Sequence, residues 1–216
     1  MLQDPTPPEI LDYDLDDDLL AEATMAGEAR LRIYRPTAVS IVLGRGSRVD
    51  KELNLDAIMD DGVPLYRRRG GGCSVVLDPG NLIIGLALPL PGFGHNRRYW
   101  QLLSQWMIAG LASLGVEGVT QQGISDLVWQ GRKISGACLY RPRNLVYYSA
   151  TLLVDADLAL MERYLKHPPR EPEYRQGRRH GAFVGCVASE RLNGAEEWVD
   201  ALGQHLEHPL LLAARF

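Results

Sequence analysis

The chain has 216 residues, 46% hydrophobic and 23% charged, with a formal net charge of −4 at pH 7. That length can bury a core of its own and fits one domain, while the mild acidity disfavours nucleic acid as a partner and makes any arginine cluster a local feature. No apolar run approaches the roughly 20 residues of a membrane span and the N-terminus has no basic, apolar leader pattern, so no membrane partner is expected and the expected compartment is the cytoplasm.

Residues 1–12 are proline-rich and read as a flexible tail, with 13–216 as a single domain. From Asp14, carboxylates crowd the first turn of a helix, as the helix dipole favours. "ARLRIYRP" then alternates like a half-buried strand and "AVSIVLG" reads as its apolar partner, predicting an early hairpin. "SVVLDPGNLIIGLALPLP" contains two strand-like runs around a Pro-Gly-Asn turn. The helix after Asn96 places Leu103, Trp106, Met107, Gly110 and Leu114 on one face and closes at Gly115. Two or three more strands follow in "SDLVWQGRKISGACLY" and "NLVYYSATLLVDAD", then a helix sharing Leu158, Met161 and Leu165 on one face. After an arginine-bearing loop, "PPREPEYRQGRRHGAF", a last helix from about Ala195 turns Trp198, Leu202 and Leu206 inward. There is no regular βαβ alternation, so the expected class is α+β, a mixed, largely antiparallel sheet backed by helices.

Two segments carry chemistry. In "RRRGGGCSVVLDPGN" (67–81), bare Gly70, Gly71 and Gly72 allow close backbone approach, beside guanidinium forks suited to a carboxylate or phosphate. The stretch matches neither a P-loop nor a dinucleotide turn. In "GISDLVWQGRKISG", Lys133 sits on a strand between two glycines, where one ammonium can polarise a carbonyl and hold a phosphate oxygen. Asp126 opens the same hairpin, placed to orient Lys133 or to hold Mg²⁺. Cys73, Cys138 and Cys186 are far apart with no CxxC pair, against a disulfide framework or a zinc site.

Together the segments resemble the lipoate-protein ligase branch of the biotin and lipoate protein ligase family. Arg67, Arg68, Gly71, Gly72, Val75, Asp78, Gly80 and Asn81 match its first motif. Gly70 stands for a Ser, Cys73 for a third Gly and Leu77 for a His. Asp126, Leu127, Gly131, Lys133, Ile134, Ser135 and Gly136 match the second, with Ser125 in place of an Asn; the family's His-His-Gly is here Tyr148, Ser149 and Ala150. The resemblance implies the ligase catalytic-domain fold and an ATP- and Mg²⁺-dependent reaction that activates lipoate or octanoate as acyl-AMP and passes it to a lysine of an acceptor protein.

It implies Lys133 as the catalytic residue. Arg68, Arg69, Gly70, Gly71, Gly72, Cys73, Ser135, Gly136 and Ala137 would meet the acyl substrate; Asp78, Asn81, Asp126 and Arg178 the nucleotide, with Asp126 also on the metal. The implied partners are a lipoyl-domain acceptor (a dehydrogenase E2, the glycine cleavage H protein or a similar carrier) and a separate accessory-domain chain. Two alternatives stay open: a cysteine-dependent octanoyl or lipoyl transferase, for which Cys73 and Cys138 are the thiols near the site, and a non-catalytic lipoate-binding scaffold subunit.

Overall fold

The computed structural model describes residues 8–90, 96–142, 144–187 and 192–206. Among these residues, ten strands form two sheets. β1 (Ile10–Asp12), β3 (Ser40–Leu43), β4 (Leu65–Arg67) and β5 (Val75–Leu77) make a small mixed sheet of order β1-β4-β3-β5. β2 (Arg30–Tyr34), β6 (Asn81–Pro89), β7 (Thr120–Gln122), β8 (Asp126–Trp129), β9 (Arg132–Tyr140) and β10 (Leu145–Leu153) make an antiparallel sheet of order β2-β6-β10-β9-β8-β7. The α+β architecture expected from the sequence is thus the one observed.

Alternation along β6 explains the layering. Leu82, Ile84, Leu86 and Leu88 face the main core, where Leu103, Trp106, Met107 and Leu111 of α4 (Asn96–Ser113) and Trp198 and Leu202 of α7 (Gly194–His205) cover them. Gly110 allows this approach, because a Cβ there would lie 2.5 Å from the Leu206 side chain. Ile83 and Ala87 point the other way. Ala87 packs under Leu19 and Ala23 of α1 (Asp17–Ala26), and Ile83 packs with Val42 and Leu77 of the small sheet. The large sheet is therefore buried on both faces at its centre, and its second face, between α1 and the small sheet, is where the glycine-rich segment lies. Two short helices, α2 (Val49–Glu52) and α3 (Leu55–Asp60), precede β4; α5 (Leu158–Tyr164), a single 3-10 turn (Glu173–Arg175) and α6 (His180–Phe183) follow β10. Among the described residues no helix is long and apolar enough to cross a membrane.

Two expectations change. β2 and β3 are not a hairpin: β2 pairs with β6 and β3 lies between β4 and β5. Side-chain alternation sets which face of a strand is buried but not its partner. Ile10–Asp12, read as tail, pairs in parallel with β4; three residues are too few for a periodic signal.

Candidate active site

Lys133 owes its position to an irregularity in the sheet. The β8–β9 register runs from Leu127 opposite Ser135 to Val128 opposite Lys133, so β9 carries an extra residue. Such a bulge re-aims side chains. Ile134 lies in the main core and Ser135 is only 1% exposed, whereas the Lys133 side chain lies over Gly136: a Cβ on Gly136 would be 2.9 Å from both Lys133 Cε and Nζ. Nζ is 2.7 Å from Asp126 Oδ1, and Asp126 Oδ2 accepts a 2.7 Å hydrogen bond from the Tyr174 hydroxyl. The carboxylate thus holds the ammonium in place and is itself held. Gly136→Ala should lower activity about 100-fold while shifting the melting temperature little, since the new methyl displaces a flexible lysine rather than backbone; steady-state kinetics beside a thermal melt checks this.

The segment 170–185 closes one side of this site. Gly185 N–H donates to the Lys133 carbonyl at 3.0 Å. Arg178 donates to the carbonyls of Gly131, Tyr174 and Arg175 and lies 5.2 Å from the Phe183 ring centre, so it fastens the segment to the β8–β9 turn. Arg175, 5% exposed, lies 4.7 Å from the same ring centre and 3.5 Å from Glu171, and its Nη2 has no hydrogen-bond partner among the described residues. Burial, which disfavours a charge, pulls its pKa below the usual arginine value.

Opposite lies the glycine loop. Gly44 lets it pack down, since a Cβ there would be 1.9 Å from the Gly72 carbonyl oxygen. Arg67 donates to the carbonyls of Gly44, Arg45 and Ser47, while Arg68 donates to those of Val42, Gly71 and Cys73. Glu52, 7% exposed, accepts through Oε2 from Ser47 Oγ (2.9 Å), Ser74 N (2.7 Å) and Ser74 Oγ (2.8 Å). Gly70 meets β9 at Cys138, where its Cβ would be 2.6 Å from Sγ. Cys73 lies close enough to Lys133 and Arg170 to feel their charges, yet burial comes first and pushes its thiol, like that of Cys138, above the ordinary value.

The structure brings Gly70, Gly71, Gly72, Cys73, Asp126, Lys133 and Gly136 to one side of the large sheet. Arg68 and Arg178 flank it as fasteners of the glycine loop and of the 170–185 segment, whereas Ser135, Ala137, Arg69, Asp78 and Asn81 lie elsewhere. Ser135 and Ala137 turn toward the main core. Arg69 forms a two-pronged pair with Asp17, both contacts 2.6 Å, beside α1. Asp78 accepts from the amides of Gly80 (2.6 Å) and Asp157 (3.1 Å), and Asn81 Oδ1 accepts from Asp78 N. These two residues secure the turn before β6, and Asp78 lines a separate 540 Å³ cavity that carries Arg35, Asp155 and Asp157 but not Lys133. Both oxygens of Asp126 are engaged, one by Lys133 and one by Tyr174, and among the described residues no group of three or more His, Cys, Asp or Glu side chains is gathered. Tyr174 and Glu52 were not legible as site residues, because Tyr174 acts on Asp126, 48 residues away, and Glu52 on Ser74, 22 residues away.

The family model described as "Lipoyl protein ligase A/B catalytic domain" matches residues 11–203. The chain belongs to this family. A probable lipoate-protein ligase A of Mycoplasma pneumoniae is 31% identical over 151 residues, 70% of this chain, and the chain spans 44% of that relative's length. A bipartite lipoate protein ligase from Thermoplasma acidophilum, described with its E2 lipoyl domain, has a TM-score of 0.72 at 22% identity, covering 93% of this chain and 78% of that one. A lipoate-protein ligase A bound with ATP has a TM-score of 0.67 at 19% identity, covering 93% and 83%. At these identities the two structures speak for a shared fold.

Proposed function

We propose that this catalytic domain is an ATP-dependent lipoate-protein ligase acting as one unit over residues 13–216. The observation that carries the reading is Lys133, fixed over bare Gly136 by Asp126 and facing the glycine loop. Lipoate carboxylate attacks the α-phosphorus of ATP and pyrophosphate leaves; the acceptor lysine then attacks the acyl carbonyl and AMP leaves. No protein nucleophile is needed, because the mixed anhydride already has a good leaving group. The protein supplies positioning and charge.

In this reading Lys133 holds the acyl carboxylate and then the oxygens shared by carbonyl and phosphate as charge develops on them. Gly71 and Gly72 present backbone to the acyl chain. Arg175, with an unbonded buried Nη2, supplies positive potential toward the phosphates. The family's ligase and a lipoyl-domain partner in a relative support an E2-type or H-protein acceptor for this chain, with a separate accessory chain completing transfer where one is needed.

Ligase is favoured over thiol-dependent transferase because Cys73 and Cys138 are both pushed toward the protonated form, which is the weaker nucleophile. Cys73→Ser and Cys138→Ser should each retain lipoyl transfer within about threefold; loss of all transfer in either variant would select the transferase. The direct test is intact-mass analysis of a lipoyl domain incubated with the protein, lipoate, ATP and Mg²⁺, with and without accessory chain. One lipoyl increment that requires ATP is expected. Transfer from an octanoyl-carrier thioester without ATP, and none from lipoate, would overturn the reading.

A further inference from the structure

The side chain of Tyr174 reaches across to the hairpin that carries Lys133. Its hydroxyl donates to Asp126 Oδ2 at 2.7 Å, while Asp126 Oδ1 is 2.7 Å from Lys133 Nζ. A carboxylate gripped through one oxygen can still swing about its own axis; gripped through both, it presents the ammonium in one place. Burial, and then the Asp126 charge, push the Tyr174 hydroxyl well above the ordinary phenol value, so it remains a donor.

Other bonds fix Tyr174 itself. It lies in the single 3-10 turn, closed by Arg175 N on the Pro172 carbonyl and followed by Gln176 and Gly177, both with positive φ. Glu171 Oε1 accepts from Gly177 N, and Arg178 joins the carbonyl of Tyr174 to that of Gly131. The Tyr174 ring packs 5.2 Å from that of Phe183, and a Cβ on Gly123 would be 3.8 Å from its Cε1. Further along, Gly185 N on the Lys133 carbonyl fastens the segment to β9. At the segment's other end the Cys73 thiol donates to the Arg170 carbonyl at 3.8 Å, so 170–185 touches the glycine loop as well as the lysine hairpin. None of these fasteners uses the Tyr174 hydroxyl. Its hydrogen bond is not needed to anchor the segment, and it ends on the carboxylate that holds the ammonium.

We infer that Tyr174 is a positioning residue: through Asp126 its hydroxyl fixes the Lys133 ammonium, so the lysine is aligned for chemistry only while the 170–185 segment is seated against the site. The inference rests on the ligase reading for what Lys133 then does. A hydroxyl that merely anchored the segment would support stability and leave the rate alone; a positioning hydroxyl does the reverse, because a small misplacement of a group that meets developing charge is felt in the rate. Tyr174 acts on the reaction only through Asp126 and Lys133.

Tyr174→Phe keeps the ring and every fastener of the segment. It should lower kcat for lipoyl-adenylate formation about tenfold, leave KM for ATP within about twofold and shift the melting temperature by less than about 4 °C. Asp126→Asn sharpens the test, because an amide has one acceptor oxygen where the carboxylate uses two, one for Lys133 and one for Tyr174. Asp126→Asn should be slower than wild type, and adding Tyr174→Phe should leave that rate unchanged or raise it, since the amide oxygen is then free to turn to the lysine. A readout without catalysis runs beside these: acetylation of Lys133 by acetic anhydride, followed by peptide mass, should be at least about threefold faster in Tyr174→Phe than in wild type. Unchanged kcat and acetylation in Tyr174→Phe, or a double variant slower than Asp126→Asn by the full Tyr174→Phe factor, overturns the inference. A wild type that makes no adenylate, with acetylation still faster in Tyr174→Phe, would remove the ligase reading and keep the hold of Tyr174 on Lys133.

Discussion

Lys133→Ala should reduce lipoyl-adenylate formation about 1,000-fold or more and leave the melting temperature nearly unchanged. Removing one preorganised donor to developing charge typically costs 10²–10³ in rate, and this residue would serve both the carboxylate and the phosphate. Stability is little affected because the side chain is 27% exposed and adds nothing to the core; the strand is held by its backbone, including the Gly185 N–H on the Lys133 carbonyl. Freed of its partner, Asp126 retains Tyr174. Lys133→Arg should rescue poorly, since the guanidinium is larger than the space above Gly136 and reaches Asp126 with different geometry. Pyrophosphate release measured against a thermal melt separates the two effects. A large fall in melting temperature would make Lys133 a structural residue.

Glu52→Ala should be the most destabilising change near the site. The carboxylate is buried and its Oε2 takes hydrogen bonds from Ser47 and twice from Ser74, tying the 44–47 turn to the end of the glycine loop. Alanine leaves a buried N–H and two hydroxyls without that acceptor, at about 3 kcal/mol or more in total. For a chain of this size that lowers the melting temperature by roughly 6–12 °C. Because Gly72 is carried on the same turn through Gly44, KM for the acyl acid should rise as well. Glu52→Gln keeps a side-chain carbonyl oxygen in place and should recover most of the stability. An alanine variant that melts like wild type would show that the loop is held by Arg67 and Arg68 alone.

Much of the fold was legible because the periods were clear. The runs that became β6, β9 and β10 and the faces of α4 and α7 follow from apolar spacing. Strand partnership was not legible: β2 and β3 are adjacent in sequence and lie in different sheets, because a buried pattern fits any neighbour of matching face. At the site, the glycines and Lys133 were visible as types. The bulge that turns Lys133 away from Ser135 was not, since it depends on where β8 sets its register.

The arginines show the same limit. Their charge was plain, but Arg67 and Arg68 serve backbone carbonyls and Arg69 serves Asp17, choices fixed by distant segments. Asp78 and Asn81 bracket a Pro-Gly turn, and local hydrogen bonding by Asp and Asn in turns accounts for their bonds. Tyr174 acts across 48 residues on Asp126, a separation at which no spacing rule operates.

The account rests on acyl activation at Lys133, and ATP–pyrophosphate exchange measures that step alone, without any acceptor or accessory chain. Exchange that depends on lipoate, is lost in Lys133→Ala and survives Cys73→Ser and Cys138→Ser is the expected result. Absence of lipoate-dependent exchange in the folded protein, together with ATP-independent acyl transfer abolished by either cysteine change, would contradict it.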